Sequence, residues 1–347
     1  HIEEPDWRLG TWTAGFNVLV CGSFVNELNP NGHVQEIGWP SPFTRIGPGI
    51  ADSPMPDFAA PGGNWNSTYN FQPGLGVLAM NPQGLWEDQS GTSLAAPILA
   101  REAAKTLLFL KQNYCQSGSH PFAVTARAYL TLTATRPDNA DRIRALADRT
   151  LGYGQASAHR LQNPTIDTAV MVWQGEINGP KDLLRVNIPV PREWLETCGE
   201  PRMRLVACSD PPVNDAVVGV WASRKVAVKL KPGPDARAIR PMRTPSHASY
   251  PVLDRMYRLD RLPEGATVEG DIWLIELSYD ELADYFSAVD FTPSQRVGVA
   301  LQLFDASEAS ISPQPAVQAL SVASTMTHLS RVKTPVRQPV VVRARIE

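Results

Sequence analysis

The sequence predicts an α/β unit followed by an antiparallel, all-β unit, on three observations. Residues Asn17 to Phe24 form a short apolar run bounded by polar residues, the pattern of a parallel strand buried on both faces. Good helix formers dominate between residues 93 and 150. Beyond residue 165, alternating apolar and polar runs recur between Pro, Gly and Asn turns.

The chain has 347 residues, enough for two domains with a sizeable core. Its net charge is -3, from 35 acidic and 32 basic residues, which gives no electrostatic reason to expect a nucleic acid or an anionic membrane as partner. No apolar run is long enough to span a bilayer. The 31 prolines favour loops and short strands over long helices. Cys21, Cys115, Cys198 and Cys208 lack paired CxxC spacing, which argues against a zinc site. The spacing permits a Cys198–Cys208 bridge, but four buried thiols is the reading favoured, and unpaired thiols lean toward a bacterial cytoplasm, with secretion as the alternative.

Residues 28 to 86 are rich in Gly, Pro and Asn and have little periodicity. They read as long ordered loops with one or two short strands, such as Asp57-Phe58-Ala59-Ala60. Residues 93 to 113 read as a helix, with Pro97 in its first turns, where proline is tolerated. Two more helices are expected over 121 to 134 and 138 to 150, the second capped by Asp138 or Asn139. Leu151-Gly152-Tyr153-Gly154 ends the helical part, and Asn163-Pro164 marks a linker, so the expected domains are 1–162 and 163–347. Strands are expected over 168–177, 183–190, 202–208, 217–230, 271–277 and 296–304, with 339–343 as a last one. Alternation is clear in Arg202-Met203-Arg204-Leu205-Val206 and Lys225-Val226-Ala227-Val228-Lys229-Leu230, which suits an antiparallel sandwich or jelly roll. Trp173, Trp221 and Trp273 fall in these strands and are expected to pack in the core.

The chemistry-bearing stretch is Gly91-Thr92-Ser93-Leu94-Ala95-Ala96-Pro97. A serine here stands where a loop becomes a buried helix. The free N–H groups of a first helical turn point outward and stabilise a developing oxyanion. A serine hydroxyl also needs a general base, usually a histidine oriented by a carboxylate. Taken alone, Gly-Thr-Ser reads more simply as an N-cap, with Ser90 and Thr92 as competing caps.

The longer pattern resembles the subtilisin-like serine proteases over residues 1 to 160. Asn17 to Phe24 looks like the family's core strand after its oxyanion-hole asparagine. Ser41-Pro42-Phe43-Thr44-Arg45-Ile46-Gly47-Pro48 is similar to its serine-rich loop ending in Gly-Pro. Pro56-Asp57-Phe58-Ala59-Ala60-Pro61-Gly62-Gly63 looks like its Pro-Asp-x-x-Ala-Pro-Gly segment. Asp88 to Pro97 falls where its nucleophile motif belongs, and Leu151 to Ala158 looks like the signature that closes its domain. The related sedolisins share a Gly-Thr-Ser segment but continue it differently.

The resemblance implies a doubly wound parallel sheet, with 1–162 as the C-terminal portion of the protease domain. It implies Ser93 as nucleophile and its N–H as one oxyanion donor, Thr92 lining the oxyanion hole, and Leu94 on the substrate side in place of the usual methionine. The family order of Asp, His, oxyanion Asn and Ser puts the first three upstream of residue 1. None of His1, His33, His120, His159, His247 and His328 sits in a family histidine motif. The expected partner is therefore an N-terminal fragment of the same protease carrying Asp and His, in a nicked or autoprocessed chain. Calcium is frequent in the family, but no acidic loop here is assigned to it, and no cofactor is expected. The function implied is an endopeptidase acting on protein or peptide substrates through an acyl-enzyme. The alternative is a protease-derived scaffold, or truncated fragment, whose β-sandwich binds a partner.

Overall fold

The computed structural model describes residues 8–9, 18–49, 55–115, 119–137, 144–161, 168–178, 183–211, 224–242, 251–262, 271–281 and 294–307. In chain order the elements begin with strands β1 (Cys21–Phe24), β2 (Phe58–Pro61), β3 (Val77–Met80) and β4 (Trp86–Gln89). Helices α1 (Thr92–Asn113), α2 (Ala123–Thr133) and α3 (Arg144–Thr150) follow. After them come β5 (Thr168–Ile177), β6 (Leu184–Pro189), α4 (Arg192–Thr197), β7 (Pro201–Ser209), β8 (Arg224–Lys231), β9 (Val252–Arg258), β10 (Ile272–Glu281) and β11 (Gln295–Asp305). The result is a mixed α/β chain with several sheets. It divides into two compact units, one of residues 1–105 with 133–158, the other of 106–132 with 159–347.

In the first unit, β1 and β2 pair in parallel, Cys21 opposite Phe58 and Phe24 opposite Pro61. Three of the four residues in each strand are buried, which is why both read as short, non-alternating apolar runs. Phe24 and Ala59 pack with Ala147 of α3 and Leu151 just beyond it. The region expected to hold one or two strands holds β2 and also the antiparallel hairpin β3–β4, with Met80 opposite Trp86. Its turn is built by Asn81, whose Oδ1 accepts the N–H groups of Gln83 and Leu85 at 3.0 and 2.9 Å. The Asn-Pro-x-Gly turn at 81–84 was the signal for this hairpin. Leu78, Met80 and Trp86 share its exposed face.

In the second unit, β5-β11-β7-β9 form a four-stranded antiparallel sheet and β6-β10-β8 a three-stranded one. Alternate residues of both enter one hydrophobic cluster, including Met171, Trp173, Leu205 and Leu301 from the first sheet and Ile188, Leu230, Trp273 and Ile275 from the second. Both Trp173 and Trp273 are core residues; Trp221 lies outside the described residues. Helix α2 is buried along its length against the four-stranded sheet. Gln174 Oε1 accepts the Phe122 N–H at 2.8 Å near its start, and Arg204 donates to the carbonyls of Thr131 and Leu132 at its end, both at 3.2 Å.

Other expectations meet the structure unevenly. The helix expected over 138–150 is described from Arg144, and its cap residues fall outside the described residues, as do 217–223 and 339–343. Two elements were not anticipated, α4 and β9. All four cysteines are free thiols and Cys198 is not bridged to Cys208, but only Cys208 is buried; the other three are half-buried, against the expectation of four buried thiols. Among the described residues, no helix is long and apolar enough to cross a membrane.

Candidate nucleophile site

Helix α1 runs for 22 residues and begins with Thr92 and Ser93. Ser93 is exposed, Thr92 and Leu94 are half-buried, and Ala95 is fully buried. The three residues expected at the site therefore share one helical turn, with the serine side chain outward and the helix anchored by Ala95. Pro97 is the sixth helical residue, in the second turn. Lacking an N–H, it leaves the Ser93 carbonyl without its usual i+4 donor. Among the described residues, the hydroxyl of Ser93 makes no hydrogen bond. Ser90 Oγ is buried and likewise has no partner. Neither serine thus performs the side-chain capping that the simpler reading required.

The turn before the helix is stitched to the ends of the parallel strands. Gly62 lies just past β2 and donates its N–H to the Phe24 carbonyl at the end of β1, at 3.3 Å. Its own carbonyl accepts the Gly91 N–H at 2.9 Å, and Leu94 N–H closes the turn onto the Gly91 carbonyl at 3.1 Å. A Cβ on Gly62 would stand 2.1 Å from Ser23 Oγ and 2.8 Å from the Gly91 carbonyl oxygen, so only glycine admits this approach. The serine thus lies by the carboxyl ends of parallel strands, the customary place for a ligand in an open α/β sheet.

A buried hydroxyl array backs the turn. Ser23 Oγ and Ser41 Oγ are 2.7 Å apart, and Ser41 Oγ donates to the Gly63 carbonyl at 2.6 Å. Thr44 Oγ1 accepts the Ser23 N–H at 3.1 Å and donates to the Ser23 carbonyl at 2.7 Å. The serine-rich segment read from the sequence is therefore a polar bracket on β1. Asn64 continues it by accepting the N–H groups of Val34 and Trp65 and donating to the Val34 carbonyl at 2.8 Å.

Two carboxylates hold the frame. Asp57 is buried and its Oδ2 accepts the Val20 N–H at 2.7 Å, while its backbone carbonyl accepts the Tyr153 N–H at 2.8 Å. Gly152, beside it, has φ +57, and a Cβ there would lie 2.1 Å from the Pro56 carbonyl oxygen. That dual demand explains the glycine in the closing signature. Glu102, on α1, is 7% exposed, and its Oε2 accepts the Ala158 N–H at 3.0 Å. Burial pushes its carboxyl up, but the Ala158 N–H together with Arg101 and Lys105 outweighs this and holds it below the ordinary value. Sequence reasoning quoted Asp57 within a motif without seeing its role, and missed Glu102. An acidic residue amid Ile98, Leu99, Ala103 and Leu107 was the available signal.

Burial pushes the Cys21 thiol up to about 12, with Asp57 adding to the rise, so it stays protonated and unreactive. His33 packs against Tyr69 with the rings tilted, centroids 4.4 Å apart. His159 and His120 are exposed, and the backbone carbonyl of His120 accepts the Gln174 side-chain N–H at 3.0 Å. His1, His247 and His328 lie outside the described residues. Among the described residues, no group of three or more His, Cys, Asp and Glu side chains is placed to hold a metal ion.

Fold and site together define an α/β unit with a serine at a helix start. Residues 10–154 match the model of the subtilase family. The chain is also similar to the uncharacterized protein y4bN of Sinorhizobium fredii, with 26% identity over 244 residues, 62% of this chain and 53% of that protein. It thus spans about half the length of the curated relative it matches. Among solved structures it is similar to a nora virus structure at 12% identity and a TM-score of 0.20, over 43% of this chain and 61% of that one. A score that low carries no argument about the fold.

Proposed function

We propose that this chain belongs to a serine endopeptidase in which Ser93 attacks the scissile carbonyl and forms an acyl-enzyme. The observation that carries the reading is the exposed Ser93, free of any capping bond, on a helix start sewn to the ends of two parallel strands. The family match over residues 10–154 supports it. In this reading the Ser93 N–H donates to the oxyanion, Thr92 borders that hole, and Leu94 faces the substrate. The base, its carboxylate and the second oxyanion donor come from an N-terminal segment carrying Asp, His and Asn, as part of a longer polypeptide or as a processed fragment that stays bound. That segment would complete a doubly wound parallel sheet around β1 and β2.

Residues 163–347 would then form a β-sandwich of jelly-roll type that accompanies the protease domain of 1–162. The shared core of the two antiparallel sheets supports that architecture. No cofactor takes part in the chemistry proposed, and calcium, where bound, would be structural. A protein or peptide is the substrate.

The test is covalent labelling with a fluorophosphonate probe, using this chain together with its N-terminal segment. Labelling that maps to Ser93 and vanishes in Ser93→Ala is expected. Absence of labelling with both parts folded would replace the protease reading by that of a scaffold derived from one.

A further inference from the structure

The first unit contains a cavity of about 650 Å³ that neither Thr92 nor Ser93 lines. That volume lies within the roughly 300–1,000 Å³ that accommodates a small organic molecule. Val34, Pro42 and Ile46, from the stretch between β1 and β2, and Leu146 of α3 contribute to a wall that is mostly apolar. The exposed residues of the lining are His33, Gln35 and Tyr69, so the cavity meets solvent on their side.

The polar side chains of the wall are occupied elsewhere. Ser41 and Thr44 spend their hydroxyls on the array around Ser23 and Gly63. Thr150 Oγ1 donates to the Leu146 carbonyl at 2.7 Å, inside α3. The Gln35 amide donates back to the carbonyls of its own loop, at Asn29 and Gly32. Glu36, the carboxylate of the described lining, already has an interaction partner. The indole nitrogen of Trp39 is covered, so what this side chain offers a ligand is carbon. Among the described residues, no lysine or arginine lines the cavity.

The mouth is held in shape at some cost. Tyr69 has φ +59, in the left-handed region that an aromatic residue seldom enters. Asn66 keeps it there: its Oδ1 accepts the N–H groups of Thr68 and Asn70, and its carbonyl accepts the Tyr69 N–H at 3.0 Å. The Tyr69 ring packs in turn on His33. A loop that served only as a connection would relax with glycine at position 69.

A wall whose polar groups are already engaged rewards carbon and penalises charge. A ligand with a full charge would give up its water and find no partner in return. An apolar body gains from every part of the wall it covers. We propose that this cavity binds a small, uncharged, largely apolar organic molecule, of the size of two or three fused or linked rings. The proposal goes beyond the protease reading and does not depend on Ser93.

The probe is N-phenylnaphthylamine, which is uncharged and brightens in apolar surroundings, titrated into the full chain. Two analogues with the same rings are compared, one carrying a sulfonate and one a trimethylammonium group. The uncharged probe should saturate, and each charged analogue should bind roughly tenfold more weakly or worse. Val34→Trp and Leu146→Trp fill the cavity from half-buried positions and should each abolish binding. Trp86→Ser, which alters the exposed apolar face of β3–β4, should leave binding unchanged. On the unaltered chain, intermolecular NOEs from the probe to the methyl groups of Val34, Ile46 and Leu146 should place it in the cavity without any substitution. Equal or tighter binding of either charged analogue overturns the proposal. So does binding that shows no such NOEs, that survives a filled cavity in a folded variant, or that is lost in Trp86→Ser. Displacement of the probe when the N-terminal segment is supplied would assign the cavity to that segment, and overturns it as well.

Discussion

Glu102 is the residue whose removal best tests how the first unit is braced. It accepts the N–H of Ala158, a residue with no solvent exposure. A hydrogen bond to a charged acceptor contributes about 1.5–3 kcal/mol, and an orphaned buried N–H costs about 1–3 kcal/mol. The ion pairs add little, because Arg101 and Lys105 are 63% and 40% exposed. Glu102→Ala should therefore lower stability by about 2–3 kcal/mol at neutral pH, and Glu102→Gln, which keeps an acceptor without the charge, by about 1 kcal/mol. The pH dependence follows from a carboxyl held below its ordinary 4.5. Its contribution is fully present above that ordinary value and is lost as pH falls through the lower folded value. Urea unfolding of each variant, repeated from neutral pH down through the acid range, measures this. The reasoning fails where Glu102→Gln costs as much as Glu102→Ala, or where the cost of Glu102→Ala stays constant as the carboxyl is protonated.

Three other outcomes are expected. Tyr114 and Tyr129 are fully buried, and among the described residues neither hydroxyl has a partner. Tyr114→Phe and Tyr129→Phe should each be neutral or stabilising by up to about 2 kcal/mol in thermal melts, and a clear loss would reveal an acceptor. Gly298 of β11 faces α2 so closely that a Cβ would lie 2.4 Å from both the Cα and the N of Thr125. Gly298→Ala should cost roughly 1–3 kcal/mol in urea unfolding, and an unchanged midpoint would show that helix and sheet separate freely. Leucine at position 94 cannot form a sulfoxide, so under the proposed protease reading peroxide should leave probe labelling of Ser93 intact; loss of labelling without oxidation elsewhere in the chain would refute this.

Elements set by local pattern were legible in the sequence. The non-alternating runs at β1 and β2, the long helix behind Ser93 and the alternating strands of the second unit all carry their period in the residues. What escaped is held by contacts with residues distant in sequence. β9 reads Val-Leu-Asp-Arg-Met-Tyr-Arg, and its strand state rests on pairing with β7, where Arg204 meets Asp254 at 2.8 Å. The six-residue α4 has no side-chain cap and depends on burying Trp194. In the site, the Gly-Thr-Ser segment was visible as a motif. The carboxylates that brace it were not, because the groups they hold are backbone N–H donors 37 and 56 residues away. A sequence pattern does not encode which distant amide an acid will meet.

The paired hydroxyls behind the turn before α1 have a direction. A serine hydroxyl carries one proton, and that of Ser41 is committed to the Gly63 carbonyl. The 2.7 Å contact between the two oxygens can then be made only by the proton of Ser23. The array is a one-way chain running from strand to loop, and its two serines are unequal. Truncating Ser23 removes the first link and leaves one lone pair of Ser41 unused. Truncating Ser41 breaks the middle, stranding both a buried hydroxyl proton and the carbonyl of the residue beside Gly62. A substitution that fits the space of serine but carries no proton to donate, such as alanine at Ser41, therefore acts on the loop side and reaches the turn before α1 through Gly62 and Gly91.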